Sequence, residues 1–216
     1  MILPIFFTFS LLFSLSYANT IAFDFCVGDL NLPSGPSGFS CKDPTKVTAD
    51  DFVYSGMRVA SNTSNLFKFG IRRALSPQFP GLNGLGISIA RADFDVGGFF
   101  PMHTHRTSEI LMVTEGTLMA GFIDTNNKAY YKTLMKEDIM IIPPTLVHFM
   151  INVGSTPVLA YTIFTGANPG VQLLDTALFQ NDLPPEVIEK VTLLDHAQVT
   201  KLKKIFNDTN ISSLFG

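Results

Sequence analysis

The sequence predicts an all-β barrel or sandwich with a C-terminal helical extension. Of its 216 residues 46% are hydrophobic, which is enough apolar material for a substantial core. Between residues 86 and 164, short runs of β-branched and aromatic residues alternate with Gly, Pro, Asn and Asp, a pattern typical of regularly spaced strands. Helical spacing replaces this pattern after residue 183. The predicted strands occupy 86–94, 110–115, 117–123, 129–134, 139–142, 147–152 and 158–164.

Turn and capping residues support these elements in chain order. We expect Gly116 to join two strands tightly, and residues 124–127, Asp-Thr-Asn-Asn, to tolerate turn conformations. Pro185 suits the first turn of a helix. Asp195 and Gln198 form a pattern like a capping box before a second helix. One face of that helix is an apolar stripe formed by Val199, Leu202, Ile205 and Phe206. This stripe must pack on the barrel of its own chain or on a neighbouring subunit.

The N-terminal segment is typical of a secreted protein. Residues 1–18 carry no charged side chain and have small residues, Ser16 and Ala18, at the two positions that a signal peptidase reads, as in a secretory signal peptide. A membrane anchor is disfavoured because the apolar run is shorter than the roughly 20 residues of a span. In an oxidising compartment Cys26 and Cys41 can close a loop, and two free buried thiols are the alternative. Together with the strand and helix patterns, this predicts a signal peptide (1–18), an N-terminal extension with the disulfide loop and first strands (19–85), a barrel core (86–170) and a helical extension (171–216).

Charge and sequence motifs limit the classes of partner. The formal net charge is -3, from 15 Lys and Arg against 18 Asp and Glu, so a broad electrostatic footprint for nucleic acid or an anionic membrane is absent. No second long apolar run follows the first, so we expect no membrane span. Three sequons predict N-glycosylation sites at Asn62, Asn207 and Asn210.

Three of the four histidines fall in the strand region and suggest a metal site. His103 and His105 are two residues apart, so on one strand they point to the same face, and Glu109 shares their parity if that strand continues. An antiparallel neighbour could bring His148 to the same point. Three imidazoles and a carboxylate without a thiolate suit Mn, Fe or Zn, with coordination positions left open for water or substrate. His196 lies early in a helix and is expected to face solvent.

Two separated motifs carry a resemblance to a known family. The pattern Gly97-x5-His103-x-His105-x3-Glu109-x6-Gly116 resembles the first motif of the cupin superfamily, in the form found in germins and germin-like proteins of plants. The second motif is similar at Pro143, His148 and Asn152. Similarity extends to Asp24-Phe25-Cys26, to the stretch 79–88, and to Asn168-Pro169-Gly170, and so covers nearly the whole mature chain.

This resemblance implies a fold, a cofactor and an assembly. The fold is a cupin jelly-roll β-barrel with a C-terminal helical extension. The cofactor is a Mn ion held by His103, His105, Glu109 and His148. The resemblance also implies a Cys26–Cys41 disulfide and a homo-oligomer, typically a hexamer built as a trimer of dimers.

Four positions depart from the family pattern. Asparagines that bind the substrate in germins that oxidise oxalate are replaced by Ala90 and Phe100, which cannot hydrogen-bond a carboxylate, so oxalate oxidase activity is disfavoured. Glu137 and Thr145 stand where the family usually has glycines. Because non-glycine residues tolerate positive φ poorly, we expect these turns to differ in shape and to shift His148 slightly.

Apolar residues around the motifs leave two interpretations open: ordinary core packing, or a pocket for an apolar substrate. The pocket candidates are Ala90, Phe100, Met102, Met150 and Asn152. The resemblance implies a Mn-dependent redox enzyme with superoxide dismutase-type activity, secreted to the apoplast and cell wall, that acts on a small molecule. The alternatives are an auxin-binding or receptor-like extracellular protein and a metal-dependent enzyme acting on an apolar organic substrate.

Overall fold

The computed structural model describes residues 23–208, and these form a two-sheet β-barrel followed by three helices. The ten strands in this part of the chain are β1 (Phe69–Ala74), β2 (Ser88–Phe94), β3 (Phe99–Thr104), β4 (Glu109–Glu115), β5 (Leu118–Ile123), β6 (Ala129–Leu134), β7 (Ile139–Ile142), β8 (Val147–Asn152), β9 (Val158–Phe164) and β10 (Gln172–Leu173). One sheet has the order β1-β2-β9-β4-β7 and the other β10-β3-β8-β5-β6, and neighbouring strands are antiparallel. The predicted all-β barrel with a helical extension is confirmed.

The core lies between the two sheets because alternate residues of each strand point inward. In β9, for example, every second residue from Val158 to Phe164 is buried. Aromatic rings fill much of the barrel, and Phe69 stacks on Phe100 with ring centroids 4.6 Å apart. Burial of this apolar surface is the main force that holds the sheets together. The largest fully buried apolar side chains of the barrel are Phe69, Phe94, Leu111, Leu118, Ile142 and Met150.

Each predicted strand run contains an observed strand, and the ends differ by at most two residues. Gly116 adopts φ 83° and connects β4 to β5, which lie in different sheets, so this tight connection joins the two sheets and does not form a hairpin. A Cβ at Gly116 would lie 2.6 Å from the Pro157 carbonyl oxygen, which explains the glycine. The predicted turn at 124–127 is a true hairpin in which Asp124 Oδ1 accepts from the amides of Asn126 and Lys128, both at 2.9 Å.

The C-terminal helices are α1 (Leu174–Phe179), α2 (Pro185–Thr192) and α3 (His196–Asp208). The capping pair is reciprocal: the Gln198 amide donates to Asp195 Oδ1 at 2.8 Å, and the Asp195 amide donates to Gln198 Oε1 at 2.9 Å. The stripe of α3 packs within its own chain, but on the other helices and not on the barrel core. Its members Val199, Leu202 and Phe206 form a small separate core with Phe179, Ile188 and Leu194.

The N-terminal segment contains a disulfide loop, and an asparagine between β1 and β2 holds this loop. Cys26 and Cys41 form a disulfide. The buried Asn83 side chain accepts from the Phe39 amide at 3.0 Å and donates to the Phe39 carbonyl at 2.9 Å, so it anchors this loop. Asn62 and Asn207 are exposed. The predicted signal peptide, 1–18, and the sequon at Asn210 lie outside the described residues. Among helices within 23–208, none has the length and apolar character needed to cross a membrane.

Candidate metal site

The four predicted ligands meet at one end of the barrel and come from both sheets. His103, in β3, is the register partner of His148 in the antiparallel strand β8. His105 follows the end of β3, which stops at Thr104, and Glu109 is the first residue of β4 in the other sheet. The strand therefore does not continue from the histidines to Glu109, and the condition under which Glu109 would share their parity is not met. A turn at 105–108 takes the chain from one sheet to the other and brings the carboxylate back towards the imidazoles.

An irregularity in β3 determines which side chains face this site. Phe100 pairs with Met150, and His103 pairs with His148, so three steps along β3 match two along β8. The extra residue forms a β-bulge, which lets both Phe100 and His103 point into the barrel although they are three positions apart. Their rings lie against each other with centroids 3.9 Å apart.

The ligand atoms form a compact group. One potential donor atom from each of the four residues lies within 4.8 Å of the others. Glu109 Oε2 is 3.2 Å from His148 Nε2 and 3.6 Å from His105 Nε2. The separations fit a single ion that all four side chains can reach.

Backbone carbonyls fix the orientation of all three imidazoles. Nδ1 of His103 is 2.7 Å from the Pro101 oxygen, Nδ1 of His148 is 2.8 Å from the Leu146 oxygen, and Nδ1 of His105 bonds the Gly170 oxygen. A carbonyl only accepts, so each Nδ1 carries the proton and donates. Each Nε2 therefore presents a lone pair to the site, as a metal-ligating histidine requires.

Burial and charge at the site are those of a metal centre. His103, His105, Glu109 and His148 are 0%, 9%, 1% and 1% exposed. Nε2 of His103 and of His148 and both carboxylate oxygens of Glu109 have no hydrogen-bond partner. Leaving four buried polar atoms unpaired is costly, and a cation bound among them would satisfy all four. These residues therefore fit a divalent metal ion.

Burial also keeps two of the imidazoles neutral. Loss of solvent lowers the pKa of His103 well below its ordinary value of 6.5, and the nearby His148 and His105 lower it further. Burial likewise lowers the pKa of His105, although the Glu109 carboxylate opposes this. Neutral imidazole is the form that binds metal, so at neutral pH these two ligands need not lose a proton first.

The predicted pocket residues lie in different surroundings. Ala90, Phe100 and Met150 are buried in the barrel core. The Asn152 amide donates to the Asp95 and Thr156 carbonyls, both at 2.9 Å, and its oxygen accepts from the Gly154 amide at 2.9 Å, so this side chain holds a loop. Met102 is partly exposed.

The two glycine replacements keep the glycine-like backbone. Glu137 has φ 73° and Thr145 has φ 66°, both in the left-handed region. Both residues thus adopt the positive φ that glycine favours, and the expected slight shift of His148 stays a prediction. The Thr145 amide donates to the His105 carbonyl at 3.0 Å, so this strained turn is bonded to the segment that carries a ligand. His148 is the register partner of His103 in this structure.

Two contacts of His105 were not predicted from the sequence. Phe164, the last residue of β9, packs edge-on against its ring with centroids 4.9 Å apart. Gly170 supplies the carbonyl for Nδ1, and it lies in the Asn-Pro-Gly segment that resembles the family, which is the only signal that pointed to it. His196 lies apart from the site, exposed, with Nδ1 2.7 Å from Glu189 Oε1.

Comparison with known proteins agrees with this geometry. Residues 55–200 match the cupin family. The auxin-binding protein ABP19a of Prunus persica is 54% identical over 211 residues, covering 97% of this chain and 100% of that protein. A germin-like protein of Morus alba is 50% identical over 206 residues, covering 95% of this chain and 98% of that protein. A solved structure of oxalate oxidase superposes with a TM-score of 0.82 at 33% identity, covering 86% of this chain and 96% of the other.

Three findings point to the same family. The cupin model matches residues 55–200, and the relatives align along almost their entire length. The barrel also holds a cluster of three histidines and one glutamate. This chain belongs to the germin-like proteins of the cupin superfamily.

Proposed function

We propose that this chain is a secreted manganese protein that removes superoxide as a redox enzyme. The observation that carries the proposal is the buried set of three oriented imidazoles and one carboxylate, in which Nε2 of His103, Nε2 of His148 and both Glu109 oxygens have no hydrogen-bond partner. The donor set suits Mn, Fe or Zn, and the family resemblance favours manganese. Manganese bound there would supply one-electron chemistry by alternating between its divalent and trivalent forms.

The protein's own residues would hold and tune this centre. The bonds from Nδ1 to carbonyl oxygens fix each ring and make Nε2 a better donor. The Glu109 carboxylate offsets part of the metal's positive charge inside a low-dielectric barrel. Phe100 and Phe164 lie against His103 and His105 and limit water near the ligands.

Burial favours a small substrate. None of the four ligands is more than 9% exposed, so a molecule of two or three atoms reaches them with the least displacement of side chains. Oxalate is disfavoured because Ala90 and Phe100 offer no hydrogen-bond donor to a dianion. A metal-dependent enzyme acting on a larger apolar substrate would need the aromatic packing around Phe100 to open.

Alanine substitutions test the metal site directly. His103→Ala and His148→Ala are each expected to lose bound manganese and superoxide removal together, because each removes one ligand and leaves the remaining polar atoms unpaired. His196→Ala is the matched control, since it removes an exposed histidine remote from the cluster and should keep both. Superoxide removal by folded, metal-free His103→Ala protein would contradict the proposal.

The comparisons favour a second candidate function, binding of an aromatic carboxylate. A relative of 54% identity is named for auxin binding, and a carboxylate could coordinate a metal held by the same four residues. Equilibrium binding of an indole carboxylate to manganese-loaded protein tests this candidate. Saturable binding that disappears in His148→Ala would support it, and no binding at millimolar concentration would exclude it.

We also propose that the mature chain is extracellular, in the apoplast and cell wall, and forms a homo-hexamer. Secretion is supported by the apolar N-terminal 18 residues, by the disulfide and by the exposed sequon residues Asn62 and Asn207. Light scattering of the purified protein gives the assembly, and a mass near six times that of one chain is expected.

A further inference from the structure

A buried hydroxyl inside the barrel has no partner and lies beside the metal site. Thr162 is 3% exposed, and its Oγ1 forms no hydrogen bond. It lies in β9, where buried and less buried residues alternate, on the inward-facing side. A buried hydroxyl without a partner destabilises a fold, so a natural chain that keeps one calls for an explanation.

Strand register places Thr162 next to the ligands. Its neighbours across the sheet are Ala90 on β2 and Leu111 on β4. Phe164, two residues along β9, pairs with Glu109, so Thr162 and Glu109 are diagonal neighbours on the inner face of the sheet. Diagonal neighbours lie about 7–8 Å apart, which lets two side chains contact opposite ends of one molecule of two or three heavy atoms.

The other inward residues near the site cannot provide a hydrogen bond to such a molecule. Ala90, Leu111 and Phe100 are apolar. The Asn152 amide is fully used by Asp95, Thr156 and Gly154. Among the buried polar residues of 23–208, Ser88 also faces inward, and its hydroxyl already donates to the Gly166 carbonyl at 2.6 Å. Within 23–208 the buried hydroxyls of Ser61, Thr104 and Thr107 also lack a partner. Thr104 follows the inward-facing His103 in β3, so it points away from the barrel interior, and Ser61 and Thr107 lie outside the strands. Of these four residues, Thr162 is therefore the one whose free hydroxyl lies at an inward-facing strand position, whereas the polar groups of Ser88 and Asn152 are already used.

We propose that Thr162 is a substrate-binding residue that donates a hydrogen bond to the far atom of a small anion coordinated at the metal site. This inference rests on the proposed function, because it requires a metal held by the four ligands. It assigns to the barrel the hydrogen-bond donor that Ala90 and Phe100 cannot supply. It also explains why the hydroxyl has no partner within the protein.

Azide, a linear anion of three atoms, is the probe. Wild type, Thr162→Val and Thr162→Ser, each loaded with Mn²⁺, are titrated with azide, and binding is followed by the electron paramagnetic resonance spectrum of the metal. Removing a hydrogen bond to a charged group is expected to weaken azide about 10- to 100-fold in Thr162→Val, while Thr162→Ser keeps most of the affinity. Thr133→Val, on the exposed strand β6, is the control for loss of a threonine hydroxyl and should bind azide like wild type.

Two further measurements on the same samples separate the possible failures. The metal-free Thr162→Val protein is expected to melt at the same temperature as wild type or higher, because the substitution removes an unsatisfied polar group from the core. Equal manganese content with unchanged azide affinity in Thr162→Val would overturn the inference and leave the proposed function standing. Wild-type protein that binds no manganese would overturn both, and elemental analysis identifies that case.

Discussion

Replacing two strained residues by glycine should stabilise the protein. Glu137 and Thr145 adopt φ 73° and 66°, where a side chain costs about 1–2 kcal/mol per residue. Both side chains are exposed, so little packing is lost on their removal. Glycine makes the unfolded chain more flexible, which costs about 0.4–1 kcal/mol. We therefore expect Glu137→Gly and Thr145→Gly each to raise the free energy of unfolding by about 0.5–1 kcal/mol.

Urea denaturation of the metal-free protein measures this effect. In a thermal melt of the same protein, the expected increase in the free energy of unfolding corresponds to a rise of about 1–4 °C in melting temperature for a chain of this size. Lys136→Gly is the matched control, because Lys136 is a neighbouring exposed residue without positive φ. It should lower the free energy of unfolding by about 0.4–1 kcal/mol.

Whether the free energy of unfolding rises or falls in Glu137→Gly and Thr145→Gly shows whether the backbone of these two residues is strained. If Thr145→Gly and Glu137→Gly destabilise the protein as much as Lys136→Gly does, the strain reasoning is wrong. Manganese content should stay unchanged in Thr145→Gly, because His148 is held by its register with His103 and by the Leu146 carbonyl. A loss of metal in Thr145→Gly would show that the threonine side chain supports the site.

Four further predictions concern stability and metal binding. Asn152→Ala should lower the free energy of unfolding by about 2–4 kcal/mol in urea denaturation, because it removes three hydrogen bonds from a buried amide. Replacing Cys26 and Cys41 together by alanine should cost about 3 kcal/mol in the same assay, since the disulfide closes a loop between residues 15 apart; an unchanged stability would contradict this. Chelation should lower the melting temperature and readdition of manganese should restore it, because the ion binds the folded state alone. Metal-free protein should lose stability as the pH falls below 6.5. In the unfolded chain His103 and His105 then bind protons, whereas in the folded protein their lowered pKa keeps them neutral. Urea midpoints that rise towards acid pH would refute this.

Local sequence patterns predict much of this fold, for physical reasons. Alternation of apolar residues and turn chemistry locate the seven main strands, and the pair Asp195 and Gln198 fixes the start of α3. Strand β3 is not predicted by alternation, because its bulge breaks the period of two between Phe100 and His103. The two-residue strand β10 is too short to leave a pattern.

The ligand set is predictable from spacing, but the route by which the ligands meet is not. His103 and His148 meet through strand pairing, as expected. Glu109 arrives from the opposite sheet, because the chain turns after His105 instead of continuing the strand. The unpartnered hydroxyl of Thr162 depends on register between distant strands, which a single sequence does not reveal.

Metal content measured together with superoxide removal tests the central claim most directly. Purified secreted protein is analysed for bound metals and assayed as isolated, after chelation, and after reloading with manganese. We expect close to one manganese per chain, loss of superoxide removal on chelation and recovery on reloading. Well-folded protein that binds no manganese, or activity that survives complete removal of the metal, would contradict the account.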